Sequence, residues 1–206
     1  MAFDPSTLNK KYTKLPIPSD FITSQNTTPS TPIDPQILWI GCSDSLVLET
    51  ECLPSLREEM FVYRNLGGLV VNGDLSTQSA IEWGVSLLKV KHVVVCGHYG
   101  CAVVCGKGRG KSTGTGEWER PIVNLRSLSQ TEGFKEMGKE ETERERERHF
   151  EEQYILAEVE WLKSQEIVKD AIEKRGLQVH AFVYDRETNV CERLVDDEGK
   201  GVEASA

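Results

Sequence analysis

The sequence predicts a single α/β domain with a mainly parallel central sheet flanked by helices. Ile37-Leu38-Trp39-Ile40-Gly41 and Val93-Val94-Val95-Cys96-Gly97 are short apolar runs stopped by glycine, the pattern of strands buried on both faces. Between them, residues 77–88 place apolar or small side chains at Ala80, Ile81, Trp83, Gly84, Val85, Leu87 and Leu88, a helical spacing. Strand, helix and strand in that order make a right-handed crossover, which produces parallel pairing. At 206 residues the chain has the size of one domain with a real core.

Residues 1–35 read as an N-terminal arm and linker. Tyr12, Leu15 and Phe21 give the arm apolar side chains with which to pack on another surface, such as a second subunit. Residues 25–35 are rich in Pro, Thr and Asn and read as extended. The domain proper runs over 36–195. Its strands are expected at 37–41, 60–63, 93–97 and 179–184, and its first helix at 77–88, capped by Ser76 or Thr77. Residues 107–150 form a loop and charged insertion. Gly110-Lys111-Ser112 matches the end of a phosphate-binding loop, but the motif's first glycine would fall on Cys105, so a surface loop is expected. The mostly charged residues 136–152, with Glu/Arg alternation over 143–148, read as a solvated helix with i,i+3 pairs, leading into a core-facing helix over 155–171. Residues 196–206 read as a flexible tail.

A net charge of -9 argues against nucleic acid and anionic membranes as partners. No apolar stretch has bilayer length, and residues 1–13 lack the apolar segment of a secretory signal, which points to a cytoplasmic protein. In that compartment the six cysteines are expected to bind metal or remain free thiols.

Cys42-Ser43-Asp44-Ser45 and His98-Tyr99-Gly100-Cys101 each follow one of the apolar runs that end in glycine. Together they offer two thiolates, one imidazole and one carboxylate, a tetrahedral donor set for Zn²⁺. Both lie just past the carboxyl ends of predicted strands, the edge where parallel sheets carry their sites.

On Cys42-x-Asp44, Arg64-Asn65 and Gly97-His98-x-x-Cys101, the chain resembles the β-class carbonic anhydrases. That family carries Cys-x-Asp-x-Arg after its first strand, Arg-Asn shortly afterwards and Gly-His-x-x-Cys after a later strand. Residues 80–83, 95–97 and 179–185 also fit it. The resemblance is close over 36–106 and looser over 151–194. It implies a zinc ion held by Cys42, His98 and Cys101, with water or Asp44 in the fourth position, and the reversible hydration of carbon dioxide to bicarbonate and a proton. It assigns Asp44 a catalytic role in orienting the reacting water or moving its proton. It also implies a homodimer or a dimer of dimers with clefts at the subunit interface.

The chain departs from the family at Leu46, where the motif has an arginine that pulls the aspartate off the metal. A buried, unpaired carboxylate beside zinc is costly to desolvate, so Asp44 is expected to close the site as fourth ligand and to weaken activity. Arg57, Arg64 and Lys89 are the candidate replacement cations, and Arg64 already matches another family position. Cys101-Ala102-Val103 likewise replaces the family's Cys-Gly-Gly. The alternative function is a catalytically silent zinc protein with a regulatory or bicarbonate-responsive role. His92, His149 and His180 lack ligand spacing, Cys96 reads as a small core side chain, and Cys105 as a bystander or redox-sensitive thiol.

Overall fold

A computed structural model describes residues 11–18, 35–53, 55, 57–71, 74–105, 122–124 and 142–196. Its strands are β1 (Tyr12–Pro16), β2 (Ile37–Cys42), β3 (Met60–Asn65), β4 (His92–His98), β5 (Gln178–Asp185) and β6 (Val190–Asp196). Its helices are α1 (Glu49–Cys52), α2 (Leu75–Glu82), α3 (Glu143–Ser164) and α4 (Glu166–Arg175), and a π-turn, Trp83–Leu87, continues α2.

The strands form one sheet in the order β1-β6-β5-β4-β2-β3. β3, β2, β4 and β5 are mutually parallel, while β6 runs antiparallel to β5 and to β1. Every residue of β2 is buried, as expected of a strand packed on both faces. The sheet separates two apolar clusters. One holds Leu38, Ile40, Val93 and Val95 with Ile81, Ile155, Val159 and Val168, so α2, α3 and α4 lie on that face. The other holds Ile37, Trp39, Val94 and Phe182 with Val47, Cys52 and Leu53.

Several boundaries differ from the sequence reading, each for a physical reason. The cap of α2 is Asp74, whose Oδ1 accepts Thr77 N–H at 3.0 Å; Thr77 itself is fully buried, and Ser76 lies inside the helix. The continuous helix expected over 155–171 is two helices, broken where Gln165 adopts an extended conformation (φ -74°, ψ 134°). The charged run is helical but not wholly solvated, since Glu151 and Glu152 are buried. Its arginines also reach across the fold: Arg144 pairs with Glu187, and Arg148 with Asp185 at 2.9 Å.

Part of the arm belongs to the chain's own sheet, because Tyr12–Pro16 pairs in register with β6. The sequence reading had no strand at β6 either. Phe21, the 107–116 loop and residues 197–206 lie outside the described residues.

Candidate metal centre

Cys42 is the last residue of β2 and His98 the last of β4; Cys101 follows in a turn opened by Gly100 at φ 72°. Parallel pairing of β2 with β4 therefore delivers all three to the carboxyl edge of the sheet. Their donor atoms lie within 4.8 Å of one another, and all three side chains are buried. The two sulfurs are 3.7 Å apart, close to the roughly 3.8 Å that two thiolates span on one tetrahedral zinc.

His98 Nε2 is buried with no hydrogen-bond partner among the described residues. Such an orphan is costly unless something else takes its lone pair. The space enclosed by Cys42, His98, Cys101 and their neighbours is about 10 Å³, room for a single small occupant. The donor set and this confinement fit zinc.

The two thiols are hydrogen-bonded to each other. The Cys101 thiol, with lesser help from His98 and the Asp44 N–H, pulls Cys42 down to about 4 against the effect of burial. The same interaction, added to burial, pushes Cys101 upward. Backbone N–H groups already point at both sulfurs, from Asp44 to Cys42 at 3.3 Å and from Val104 to Cys101 at 3.5 Å. These donors favour the thiolate forms that a metal requires.

Glu151 supports the centre from α3, a residue the sequence reading assigned to a solvated face. Its Oε1 accepts the Cys101 N–H at 2.8 Å and the Cys105 S–H at 3.0 Å. Burial raises its pKa, opposed by these hydrogen bonds. Its neighbour Glu152 accepts the hydroxyls of Tyr12 and Tyr99, and the Lys14 ammonium at 3.1 Å. About two turns further along α3, Glu158 Oε2 accepts the N–H groups of Val70 and Val71 at 2.7 and 3.1 Å.

Asp44 stands outside the three-donor cluster. Contrary to expectation its side chain is exposed, and its Oδ2 accepts the Ala102 N–H at 3.0 Å. Leu46 is 79% exposed and points no charge at it. None of the candidate cations is paired with Asp44. Arg57 donates to Met60 O, and the Lys89 carbonyl receives Arg175. Arg64 is committed to the loop after β2: it pairs with Glu49 at 2.9 Å and donates to the carbonyls of Cys42, Ser45 and Val47. That loop owes its shape to Arg64.

The remaining histidines lie apart from the centre. His92 and His180 stack, with ring nitrogens 3.2 Å apart, and burial followed by the His92 charge lowers His180 to about 3. His149 contacts Tyr12.

Comparison with known proteins agrees with this geometry. The carbonic anhydrase family model matches residues 37–191. The carbonic anhydrases of Candida albicans and Emericella nidulans are 31% and 34% identical over 155 and 152 residues, 73% of this chain in each case. The chain spans 53% and 65% of the lengths of those two relatives. Among solved structures, the β-carbonic anhydrase CafD of Aspergillus fumigatus superposes with a TM-score of 0.72 at 30% identity, over 89% of this chain and 99% of that one. A tetrameric β-carbonic anhydrase of Sordaria macrospora superposes with a TM-score of 0.67 at 31% identity, over 78% and 81%. Matched over most of its length by the family model and sharing the sheet of these structures, the chain belongs to the β-class carbonic anhydrase family.

Proposed function

We propose that this chain catalyses the zinc-dependent reversible hydration of carbon dioxide to bicarbonate and a proton, with Cys42, His98 and Cys101 holding the ion. The observation that carries the reading is the orphaned His98 Nε2 beside two thiols 3.7 Å apart, in a space for one small occupant. When bound there, zinc supplies the Lewis acidity that makes water a nucleophile near neutral pH.

The chain's own residues supply the rest. Asp44 orients the reacting water and takes up its proton, and Ala102 N–H, on its Oδ2, holds the carboxylate clear of the three donors. A neutral N–H holds a carboxylate less firmly than the missing guanidinium would, so Asp44 reaches the metal part of the time and activity is weak. A second reading, a site closed by Asp44 in a catalytically silent protein with a regulatory or bicarbonate-responsive role, draws on the lack of a paired cation on Asp44 among the described residues.

The exposed Leu75, Trp83 and Leu87, on α2 and the π-turn that follows it, support a homo-oligomer, a dimer or a dimer of dimers. Among the described residues no helix is long and apolar enough to cross a membrane, in keeping with the proposed cytoplasmic location.

Stopped-flow hydration of carbon dioxide by zinc-quantified protein, over a pH of about 7 to 9, tests the reading. Wild type should exceed the buffer rate, and Leu46→Arg should raise it roughly tenfold, the gain from exchanging a neutral for a charge-assisted hydrogen bond. A silent wild type rescued by Leu46→Arg supports the closed site. Silence in both, at full zinc occupancy, ends the enzyme reading.

A further inference from the structure

We infer that Cys52, Cys96 and Cys191 form a second metal site, on the sheet face opposite the first centre, which takes a divalent d¹⁰ ion of the Zn²⁺ class. The inference does not depend on the catalytic reading above.

The three cysteines come from the end of α1, from β4 and from β6, and the fold brings their sulfurs within 4.8 Å of one another. Neighbouring thiolates on zinc sit roughly 3.8 Å apart, so modest side-chain rotations complete the geometry. Cys96 and Cys52 belong to the core cluster of Trp39 and Phe182, whereas Cys42 and Cys101 belong to the cluster on the helical face. The two thiol groups are therefore separated by the sheet itself.

Chemistry restricts the ion. A donor set made wholly of sulfur selects soft or borderline ions over magnesium and calcium. Three thiolates leave a net charge of about -1 around a divalent ion and about -2 around Cu⁺. Glu51 acts electrostatically on Cys52, and Glu192 on Cys191, and both are negative, so the divalent ion leaves less uncompensated charge. Cys52 and Cys96 are buried, while Cys191 is half-buried; its side gives the ion an entry and leaves the fourth position to solvent. Binding would displace the thiol protons to solvent and tie three elements together. The segment that starts at Cys42, carries Asp44 and ends at Cys52 would then be fixed at both ends.

Zinc content measured on tag-free, reduced, zinc-reconstituted full chain tests the site. Wild type should hold two zinc ions per chain. Cys191→Ser, altering the least buried of the three, should hold one, and Cys101→Ser should also hold one, retained at the second site. Cobalt reconstitution gives an independent reading, because Cys101→Ser should keep a thiolate-to-cobalt absorption band that the Cys101→Ser/Cys191→Ser double variant loses. One zinc per wild-type chain that Cys191→Ser keeps, no loss on Cys191→Ser, or a second equivalent accepted only as Cu⁺ would each overturn the assignment.

Discussion

Glu151 is a carboxylate only 2% exposed, and it reaches from α3 to the turn that carries Cys101. By accepting the Cys101 N–H it fixes that turn, and by accepting from Cys105 it fixes the next residues as well. Residues that orient metal ligands in this way typically contribute 10- to 100-fold in metal affinity. Glu151→Gln keeps the shape but weakens both hydrogen bonds, so zinc affinity should fall by a factor in that range. Chelator competition on the purified variant measures it, and an unchanged affinity would show that the turn holds itself. The three clustered donor residues, Cys42, His98 and Cys101, were legible in the sequence because Cys42-x-Asp44 and His98-x-x-Cys101 are local patterns. Glu151 was not, because it lies at the end of a mostly charged stretch, 136–152, that reads as solvent-facing, and only the packing of α3 on β4 turns it inward. The exposure of Asp44 was missed for a related reason: its Ala102 partner comes from a turn 58 positions away.

At the scale of elements, the centre depends on how closely α3 approaches the end of β4. A Cβ on Gly97 would stand 2.5 Å from Ile155 Cδ1 and 2.6 Å from its Cγ1, and Ile155 is buried with little space to retreat. Gly97→Ala should therefore cost about 1–3 kcal/mol of stability through overpacking, measured by urea denaturation of the zinc-loaded protein. A loss below a few tenths of a kcal/mol would mean that α3 can shift freely. The central strands were legible because uninterrupted apolar runs have few other uses in a chain of this size. The antiparallel pair was not: β1, at the edge, and β6 beside it carry Lys14, Glu192 and Arg193 among their apolar residues, and they pair although far apart in the chain. Asn189, at φ 58° in the turn joining β5 to β6, was the local signal that could have revealed the hairpin. The break between α3 and α4 had no such mark, since Gln165 is neither proline nor glycine.

For the molecule as a whole, α3 connects distant parts of the fold through buried carboxylates that a net charge of -9 gives no means of locating. Glu151 holds the Cys101 turn, Glu152 the edge strand through Tyr12 and Lys14, and Glu158 the segment at Val70 and Val71. Burial pushes Glu158 from an ordinary value of 4.5 up to about 8, although its hydrogen bonds act in the opposite direction. Between those values the folded chain keeps a proton that the unfolded chain has lost, so stability falls as pH rises and levels off above about 8. His180 acts with the opposite sign. Its folded value of about 3 lies below the ordinary 6.5, so its contribution rises with pH and is complete by about 6.5. Above neutrality the two effects separate. The thermal midpoint of the zinc-loaded protein should decline from about pH 7 to about pH 8, and Glu158→Gln, which keeps a carbonyl oxygen for Val70 and Val71 but cannot ionise, should flatten that decline. Self-repulsion of an acidic chain also grows with pH, but it acts on both proteins, so the difference between their curves isolates Glu158. Parallel curves for wild type and variant would mean that the carboxylate ionises without cost inside the fold, and the account of Glu158 as a buried, protonated support on α3 would fail.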